Sequence, residues 1–367
     1  MKHEECNNSA AAAKQFVSTV GSGLKKAGVF VGKFFYKYRF LWMRIGIALI
    51  TLMLAMFLSF LLLELMPADS VDQMAIKLAT ERRIPFEEAR ELAISILGYD
   101  PDESVFEKFG SYVANLFRGN LGVSIVNPTI NVNSVIAKTL PWTLFISTVS
   151  LIISFGLGTL IGAFMAWKRG KAGDAMLTSY IVVSSAIPDY IFAVIILYLF
   201  AYQLEWFPQM GAYSIEYEIG FNAGFIGSCI YHAILPIFAN VFIQTAGWAL
   251  LMRGSSVAVM GKDYIWAART RGVPQRMIVR KYMRKNAILP LIASLALSFA
   301  GLFGGSTLME SIFNYPGLGQ AFSLYIAQRD YFMIVGILFF ESAILVLANL
   351  VADSMYSIID PRIRRSE

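Results

Sequence analysis

Six long apolar segments constrain this chain more than any other feature. A membrane core of about 30 Å requires roughly 20 apolar residues per helix, and each segment approaches or exceeds that length. A large buried helical core is the alternative, but six runs of this length disfavour it. We therefore predict an all-α polytopic membrane protein with six transmembrane helices, at residues 45–63, 142–167, 177–204, 233–252, 288–309 and 331–356.

The composition excludes several other classes of protein. Apolar residues make up 57% of the chain and charged residues 15%, against about 45–50% and 25% in soluble domains. A disordered, collagen-like or disulfide-stapled secreted chain would have a different composition. The two cysteines and two histidines lack metal-ligand spacing, so no metal site is predicted.

Basic residues are concentrated in alternate loops. Of the 31 Lys and Arg residues, 23 lie before the first span, in the turn at 167–176, in the loop at 253–285 or in the C-terminal tail. Because positively charged loops stay in the cytoplasm, both termini are predicted to be cytoplasmic. The net charge of +6 then orients the chain in lipid, and no nucleic-acid partner is predicted.

The segments outside the spans divide the chain into predicted regions. Residues 1–40 form a basic extension, either an amphipathic helix on the anionic inner leaflet or a partly disordered tail. The first membrane helix lies within 41–66, and 67–141 form a small extracellular helical cap. The cap includes a helix at 85–97 and another that begins at Pro101, with Asp100 and Glu103 as its capping box. A transmembrane core (142–357, with the cytoplasmic loop 253–287) and a cytoplasmic tail (358–367) complete the chain.

Acidic residues at membrane depth are the candidate pathway or gating residues. A charge in hydrocarbon costs several kcal/mol unless it faces a partner or water. The alternative is a structural role, in which the acids pair with Arg253 or hydrogen bond to neighbouring helices. A GxxxG face at Gly158 and Gly162 also predicts close helix packing. The four acids are Asp189, Glu310, Glu341 and Asp353.

Sequence motifs for catalysis are not found. The chain contains no GxxxxGK[ST] phosphate-binding loop, no Ser/His/Asp arrangement and no nucleophile elbow. We therefore predict that this chain is not an enzyme and that it binds no cofactor. Transport would draw its energy from an ion gradient or from a partner subunit.

One cytoplasmic loop resembles a known element. Its residues run Asp-Tyr-Ile-Trp-Ala-Ala-Arg-Thr-Arg-Gly over 263–272, and Ile-Leu-Pro follows at 288–290. This spacing resembles the EAA loop of ABC importer permeases, although Trp266 stands where that loop usually has Glu. In that family a short helix from the loop docks onto the ATP-binding subunit. The resemblance implies a coupling contact, with Ala268 and Gly272 closest to the partner, formed by Asp263, Tyr264, Ala267, Ala268, Arg269, Arg271 and Gly272.

Further motifs extend the resemblance over about 41–364. They are similar to those of the B-type permeases of oligopeptide, dipeptide and nickel importers, and they occur in the same order. The motifs are Arg118-Gly-Asn-Leu-Gly-Val-Ser124, Ala186-Ile-Pro188, Trp206-Phe-Pro208, Tyr315-Pro-Gly-Leu-Gly319, Arg329-Asp-Tyr331 and Asp360-Pro-Arg-Ile363.

The resemblance implies a type I ABC permease that forms half of a heterodimeric pathway in a bacterial or archaeal cytoplasmic membrane. Its implied partners are a C-type permease, two cytoplasmic ATPases that bind ATP and Mg, an extracellular solute-binding protein and membrane lipid. Short peptides are the expected substrate, with oligosaccharides or nickel as alternatives. A secondary transporter is the rival from another class and would require inverted repeats with broken helices. A structural membrane scaffold is a third interpretation.

Overall fold

The computed structural model describes residues 39–65, 70–98, 103–304 and 307–359. The amphipathic helix predicted within residues 1–40 lies outside the described residues, apart from the start of the first helix. The final Asp-Pro-Arg-Ile motif at 360–363 lies outside them as well. Internal contacts divide the chain into two units, Met1–Met53 and Leu54–Glu367. In the first unit the described residues are helical, and Ile47 and Ile50 are exposed, as lipid-facing side chains are.

The described part of the chain is almost entirely helical, which confirms the predicted fold class. Its single β pairing is an isolated bridge between Val123 and Asn131. The helix Gln275–Phe303 passes through a π turn at Ile278–Met283, and the helix Asp189–Leu197 is extended by another at Tyr198–Gln203. The helices are α1 (Arg39–Glu64), α2 (Ser70–Arg82), α3 (Phe86–Leu97), α4 (Val105–Phe117), α5 (Val132–Trp167), α6 (Ala172–Ala186), α7 (Asp189–Leu197), α8 (Ala223–Met260), α9 (Asp263–Thr270), α10 (Gln275–Phe303), α11 (Thr307–Ile312), α12 (Leu318–Gln328) and α13 (Tyr331–Ile359).

Five of the described helices are long and apolar enough to cross a membrane: α1, α5, α8, α10 and α13. The pair α6 and α7 makes a sixth span if the two are counted together. The α5 helix, of 36 residues, begins before its predicted span, and the α8 helix, of 38 residues, extends past its predicted span at both ends. An apolar run predicts only the part of a helix that crosses the hydrocarbon core. The more polar turns at the helix ends were therefore missed.

The third predicted span is broken. We expected one helix over 177–204, but α6 and α7 meet at 97°. Pro188 explains the break, because its ring disfavours the helical region for the residue before it. Ile187 accordingly adopts φ −91° and ψ 122°, and Pro188 itself lies at ψ 138°.

The GxxxG face packs as predicted. Gly158 and Gly162 of α5 lie directly against the backbone of α8. A Cβ atom at Gly158 would lie 2.9 Å from the carbonyl oxygen of Thr245, and one at Gly162 would lie 2.9 Å from the amide nitrogen of Arg253. Both distances are too short for real side chains, so only glycine allows this approach.

The cap is helical, and its buried cluster also includes Phe332 and Val335 of α13. Buried side chains of α2 and α3 pack together, among them Val71, Met74 and Ala93. The helix α3 confirms the prediction at 85–97, but the predicted capping box was wrong. Ser104 caps α4, whereas Asp100 was predicted to do so. The Ser104 hydroxyl and amide both donate to Glu107 Oε2, at 2.6 Å and 3.1 Å, and these hydrogen bonds hold the pKa of the Glu107 carboxyl below its ordinary value.

Candidate functional site

A cavity of about 490 Å³ lies among α5, α8, α10 and α11. Its walls are mostly apolar, but each contributing helix also places polar groups on them. None of the described lining residues is Lys or Arg. Polar side chains at membrane depth mark solute pathways, because hydrocarbon gives them no partner. The polar residues of the cavity are Ser147, Asn240, Gln244, Ser294, Ser298 and Glu310.

Five of these six residues were missed in the sequence, since the search looked for charges alone. Hydrogen bonds within the bundle position them. Asn240 donates to the carbonyl of Pro236 at 3.1 Å, and the side-chain oxygen of Gln244 accepts from Ser154 at 3.2 Å. A usable signal existed, because Asn240 and Gln244 are four residues apart and so lie on one helix face. Ser294 and Ser298 have the same spacing.

Glu310 is the predicted acid that the structure places in the cavity wall. Its side chain is buried, and its Oε2 accepts from the amides of Gly319 at 2.8 Å and Gln320 at 3.3 Å. These are first-turn amides of α12, where a carboxylate is stabilised by the helix dipole. Thr143 completes this arrangement by accepting from the Leu318 amide at 2.7 Å. Glu310 therefore holds a helix in place and faces the cavity as well.

The Glu310 carboxylate explains the two glycines of the Tyr315–Gly319 motif. A Cβ atom at Gly317 would collide with the Glu310 carboxylate, and one at Gly319 would lie 2.6 Å from Thr307 Cα. Tyr315 lies beside them with its side chain fully buried in the cavity wall. Burial raises the pKa of the Tyr315 phenol, and the nearby Cys229 and Glu310 raise it further, so the phenol stays neutral.

A second carboxylate, Asp330, was missed as a candidate and is fully buried. It accepts from the Ser124 hydroxyl at 2.5 Å and from the amides of Ile125 and Met333 at 3.3 Å and 3.4 Å. The last serine of the Arg118–Ser124 motif is thereby tied to the aspartate of Arg-Asp-Tyr. We call the Glu310–Gly319 and Ser124–Asp330 contacts the outer clamps, after their predicted side of the membrane.

Two other predicted acids, Asp189 and Glu341, are not brought to the cavity wall. Asp189 is exposed at the start of α7, where it accepts from the Tyr190 amide at 2.8 Å. Glu341 is half-buried in α13 and is not among the residues that line the cavity. Asp353 belongs to α13, but its side chain lies outside the described residues.

The loop between α8 and α10 contains the predicted short helix, α9. One face of α9 packs on the chain itself, because Ile265 and Ala268 are buried in a cluster with Ile278. The other face is open, with Trp266 70% exposed and Tyr264 44% exposed. The side chain of Ala268, which was expected to lie closest to a partner, is only 5% exposed. The surface that α9 offers consists of large side chains.

The other predicted residues of the loop lie where a partner could reach them. Asp263, Arg269 and Arg271 are exposed, and Ala267 is half-buried. Gly272 has φ +78°, so the expected left-handed turn is present. Its amide donates to the carbonyl of Arg269 at 3.0 Å and ends α9. The space around a Cβ atom at this position is empty, so only backbone conformation demands glycine there.

An ion pair that the sequence did not reveal lies near the base of this loop. Asp174, in the first turn of α6, is buried and lies 3.1 Å from Arg253 Nη2, close to the end of α8. Asp174 also accepts from the Gly170 amide at 3.0 Å. Arg253 was considered as a partner for the four candidate acids, but it pairs with Asp174, which was not one of them. The pair fixes the 168–174 turn to the helix that leads into α9.

Comparison with known proteins agrees with this geometry. The family described as "Binding-protein-dependent transport system inner membrane component" matches residues 158–365. This match covers the cavity helices α8, α10 and α11, together with α9 and the outer clamp at Glu310, and it includes only the end of α5. The chain belongs to this family.

Relatives match over most of their length. The oligopeptide transport system permease protein AppB of Bacillus subtilis is 31% identical over 83% of this chain and 93% of that protein. OppB of Haemophilus influenzae, an oligopeptide transport system permease protein, is 28% identical over 89% of this chain and 99% of the relative. The glutathione transport system permease protein GsiC of Escherichia coli O6:H1 is 29% identical over 86% of this chain. This family member is therefore a permease subunit of the bacterial inner membrane.

Proposed function

We propose that this chain is the B-type permease subunit of an ABC importer and forms half of the pathway for short peptides. The observation that carries the proposal is the polar cavity among the membrane helices, with Glu310 and the amides of Asn240 and Gln244 on its wall. Peptides present amides and hydroxyls, and their ammonium group complements an acid. The names of AppB, OppB and GsiC favour peptides over the alternative of oligosaccharides or nickel.

The proposed partners follow from the same subunit arrangement. A C-type permease would supply the other half of the pathway, and an extracellular solute-binding protein would deliver the peptide. Two cytoplasmic ATPases, with ATP and Mg bound to them, would supply the energy. The exposed face of α9 supports an ATPase contact, because Trp266 and Tyr264 offer apolar surface that this chain does not cover. Both termini would be cytoplasmic.

Motion would be transmitted through α9. Closure of the two ATPases would displace this helix, and the spans would alternate between states open to either side. The buried cluster of Ile265, Ala268 and Ile278 supports this step, since it fastens α9 to the start of α10. Peptide would reach the cavity in one state and leave it in the other.

Uptake in whole cells tests the proposal. Deletion of this chain from its host should abolish uptake of a radiolabelled tripeptide and leave uptake of maltotriose unchanged. Loss of maltotriose uptake with normal tripeptide uptake would assign an oligosaccharide importer. If the deletion leaves uptake of both the tripeptide and maltotriose unchanged, an importer role is contradicted for both substrates.

Glu310→Gln tests the role of the cavity. The amide keeps one acceptor oxygen for α12 but loses the charge, so we expect tripeptide uptake to fall roughly tenfold while the subunit still assembles. Asp189→Asn is the matched control, because Asp189 is exposed and away from the cavity wall. Equal uptake by both variants would show that the Glu310 charge serves only the fold.

A further inference from the structure

A second cavity, of about 580 Å³, lies at the start of α10. Its inner wall is formed by Thr159 of α5, Met252 of α8 and Ile288 of α10. Four basic side chains complete the lining, and we call this site the basic pocket. They are Arg280, Lys281, Arg284 and Lys285.

The charge of the basic pocket is not balanced by the described part of this chain. All four basic side chains are exposed, and none forms an ion pair with a described acid. The π turn at Ile278–Met283 and the turn after it bring all four onto consecutive turns of one helix. Like charges at such spacing repel each other. A bound anion would relieve this repulsion.

An apolar stripe continues from the basic pocket along the same helix. Leu289 and Ile292 follow Lys285 at spacings of four and seven residues, which places the three side chains on one face. Leu289 is 59% exposed and Ile292 is 41% exposed, within a helix apolar enough to cross the membrane. Cationic side chains at the membrane boundary, followed by exposed apolar ones toward its centre, match the two parts of a phospholipid.

We propose that the basic pocket binds the headgroup of an anionic phospholipid, with an acyl chain along Leu289 and Ile292. This inference rests on the proposed orientation, which places the start of α10 at the cytoplasmic leaflet. A soluble phosphate compound would use the basic side chains and leave the apolar stripe uncovered. The site adjoins α9, because Ile278 at the start of the π turn packs on Ile265 and Ala268. A lipid held there would steady the segment that supports the coupling helix.

Native mass spectrometry of the full-length chain in detergent tests the proposal. The probes are phosphatidylglycerol, phosphatidylcholine and soluble glycerol 3-phosphate. The test variant is Arg284→Gln with Lys285→Gln. The matched control is Arg82→Gln with Arg83→Gln, which removes the same charge from two exposed residues of the cap.

We expect the wild type to retain phosphatidylglycerol over phosphatidylcholine, and the test variant to bind phosphatidylglycerol about tenfold more weakly. The control should bind it like the wild type, and glycerol 3-phosphate should not displace it. Equal retention by test variant and wild type, or an equal loss in the control, would overturn the proposal. Displacement by glycerol 3-phosphate would assign a soluble phosphate site instead.

Binding to the ATPase subunits is measured on the same variants. Loss of ATPase binding in the test variant, with phosphatidylglycerol retention unchanged, would assign the basic pocket to the ATPase and also overturn the lipid proposal. These readouts do not involve uptake. A failed lipid test would therefore leave the proposed transport function standing, and failed tripeptide uptake would leave a positive lipid result intact.

Discussion

The two ends of the helix bundle are built differently. At the predicted outer end the acids are buried and satisfied within the chain, as Glu310 and Asp330 accept backbone amides and a hydroxyl. At the predicted cytoplasmic end α9 and the start of α10 expose Trp266, Tyr264 and a run of basic side chains. Both ends carry motifs that the sequence singles out.

A motif can therefore stabilise the fold or contact a partner, and the burial of its side chains indicates which of the two roles it has. The residues of the outer clamps are completed by this chain alone, so their substitution should cost stability. The exposed residues of α9 are not covered by the described chain, so their substitution should cost coupling to other subunits. Three experiments test this contrast between the two ends.

Thiol labelling of intact cells tests which end of the helix bundle lies outside the cell, and it should give the largest difference of the three experiments. In a background with Cys6→Ser and Cys229→Ser, Glu103→Cys should react fully with an impermeant thiol reagent on intact cells. Arg276→Cys should not react until the cells are permeabilised. Both positions are exposed in the structure, so access to each depends on the membrane alone. The reverse labelling pattern would invert the two ends and refute the predicted orientation.

The outer clamp at Asp330 should make a large contribution to stability. Asp330→Ala removes the acceptor of the Ser124 hydroxyl and of the Ile125, Val126 and Met333 amides. We expect the free energy of unfolding in detergent to fall by about 3 kcal/mol, since buried donors are left unsatisfied. Asp263→Ala, at the exposed start of α9, should change it by less than about 1 kcal/mol. Similar losses for both variants would erase the contrast between the ends.

The third experiment compares a matched pair of glycines. Gly272 and Gly119 have φ of +78° and +77°, and a Cβ atom meets nothing within 4 Å at either. Gly272→Val and Gly119→Val should each cost about 1–2 kcal/mol from backbone strain. Only Gly272→Val should abolish peptide-stimulated ATPase activity in the reconstituted importer. If Gly119→Val abolishes that activity too, general strain explains the result and α9 has no special role.

The sequence predicts the membrane helices well because hydrocarbon imposes a length and a composition on each of them. The break in the third span was visible only as Pro188, and the 97° angle depends on how α6 and α7 each pack on α8. The capping box was placed four residues too early, at Asp100 rather than Ser104. Asp and Ser both cap helices, so the tertiary structure determines which of the two residues does so here.

The site was less predictable. Glu310 was found because a carboxylate near the membrane is conspicuous, but its contact with the start of α12 joins segments that only packing brings together. Asn240 and Gln244 were missed because they carry no charge, and only charged side chains were considered as candidates. The burial of Ala268 was not foreseen, because a small residue suits close packing on the same chain as well as on a partner.

The glycine seam between α5 and α8 has a mechanical consequence. The two helices meet backbone to backbone at Gly158 and Gly162, so sliding by one turn would press side chains where none fit. They must move as one lever. At about 1.5 Å per residue, the 38 residues of α8 give this lever a length of about 57 Å. It ends just before α9, so a displacement of α9 should be carried along α8 as far as Pro236, where a proline inside the helix interrupts its backbone hydrogen bonds.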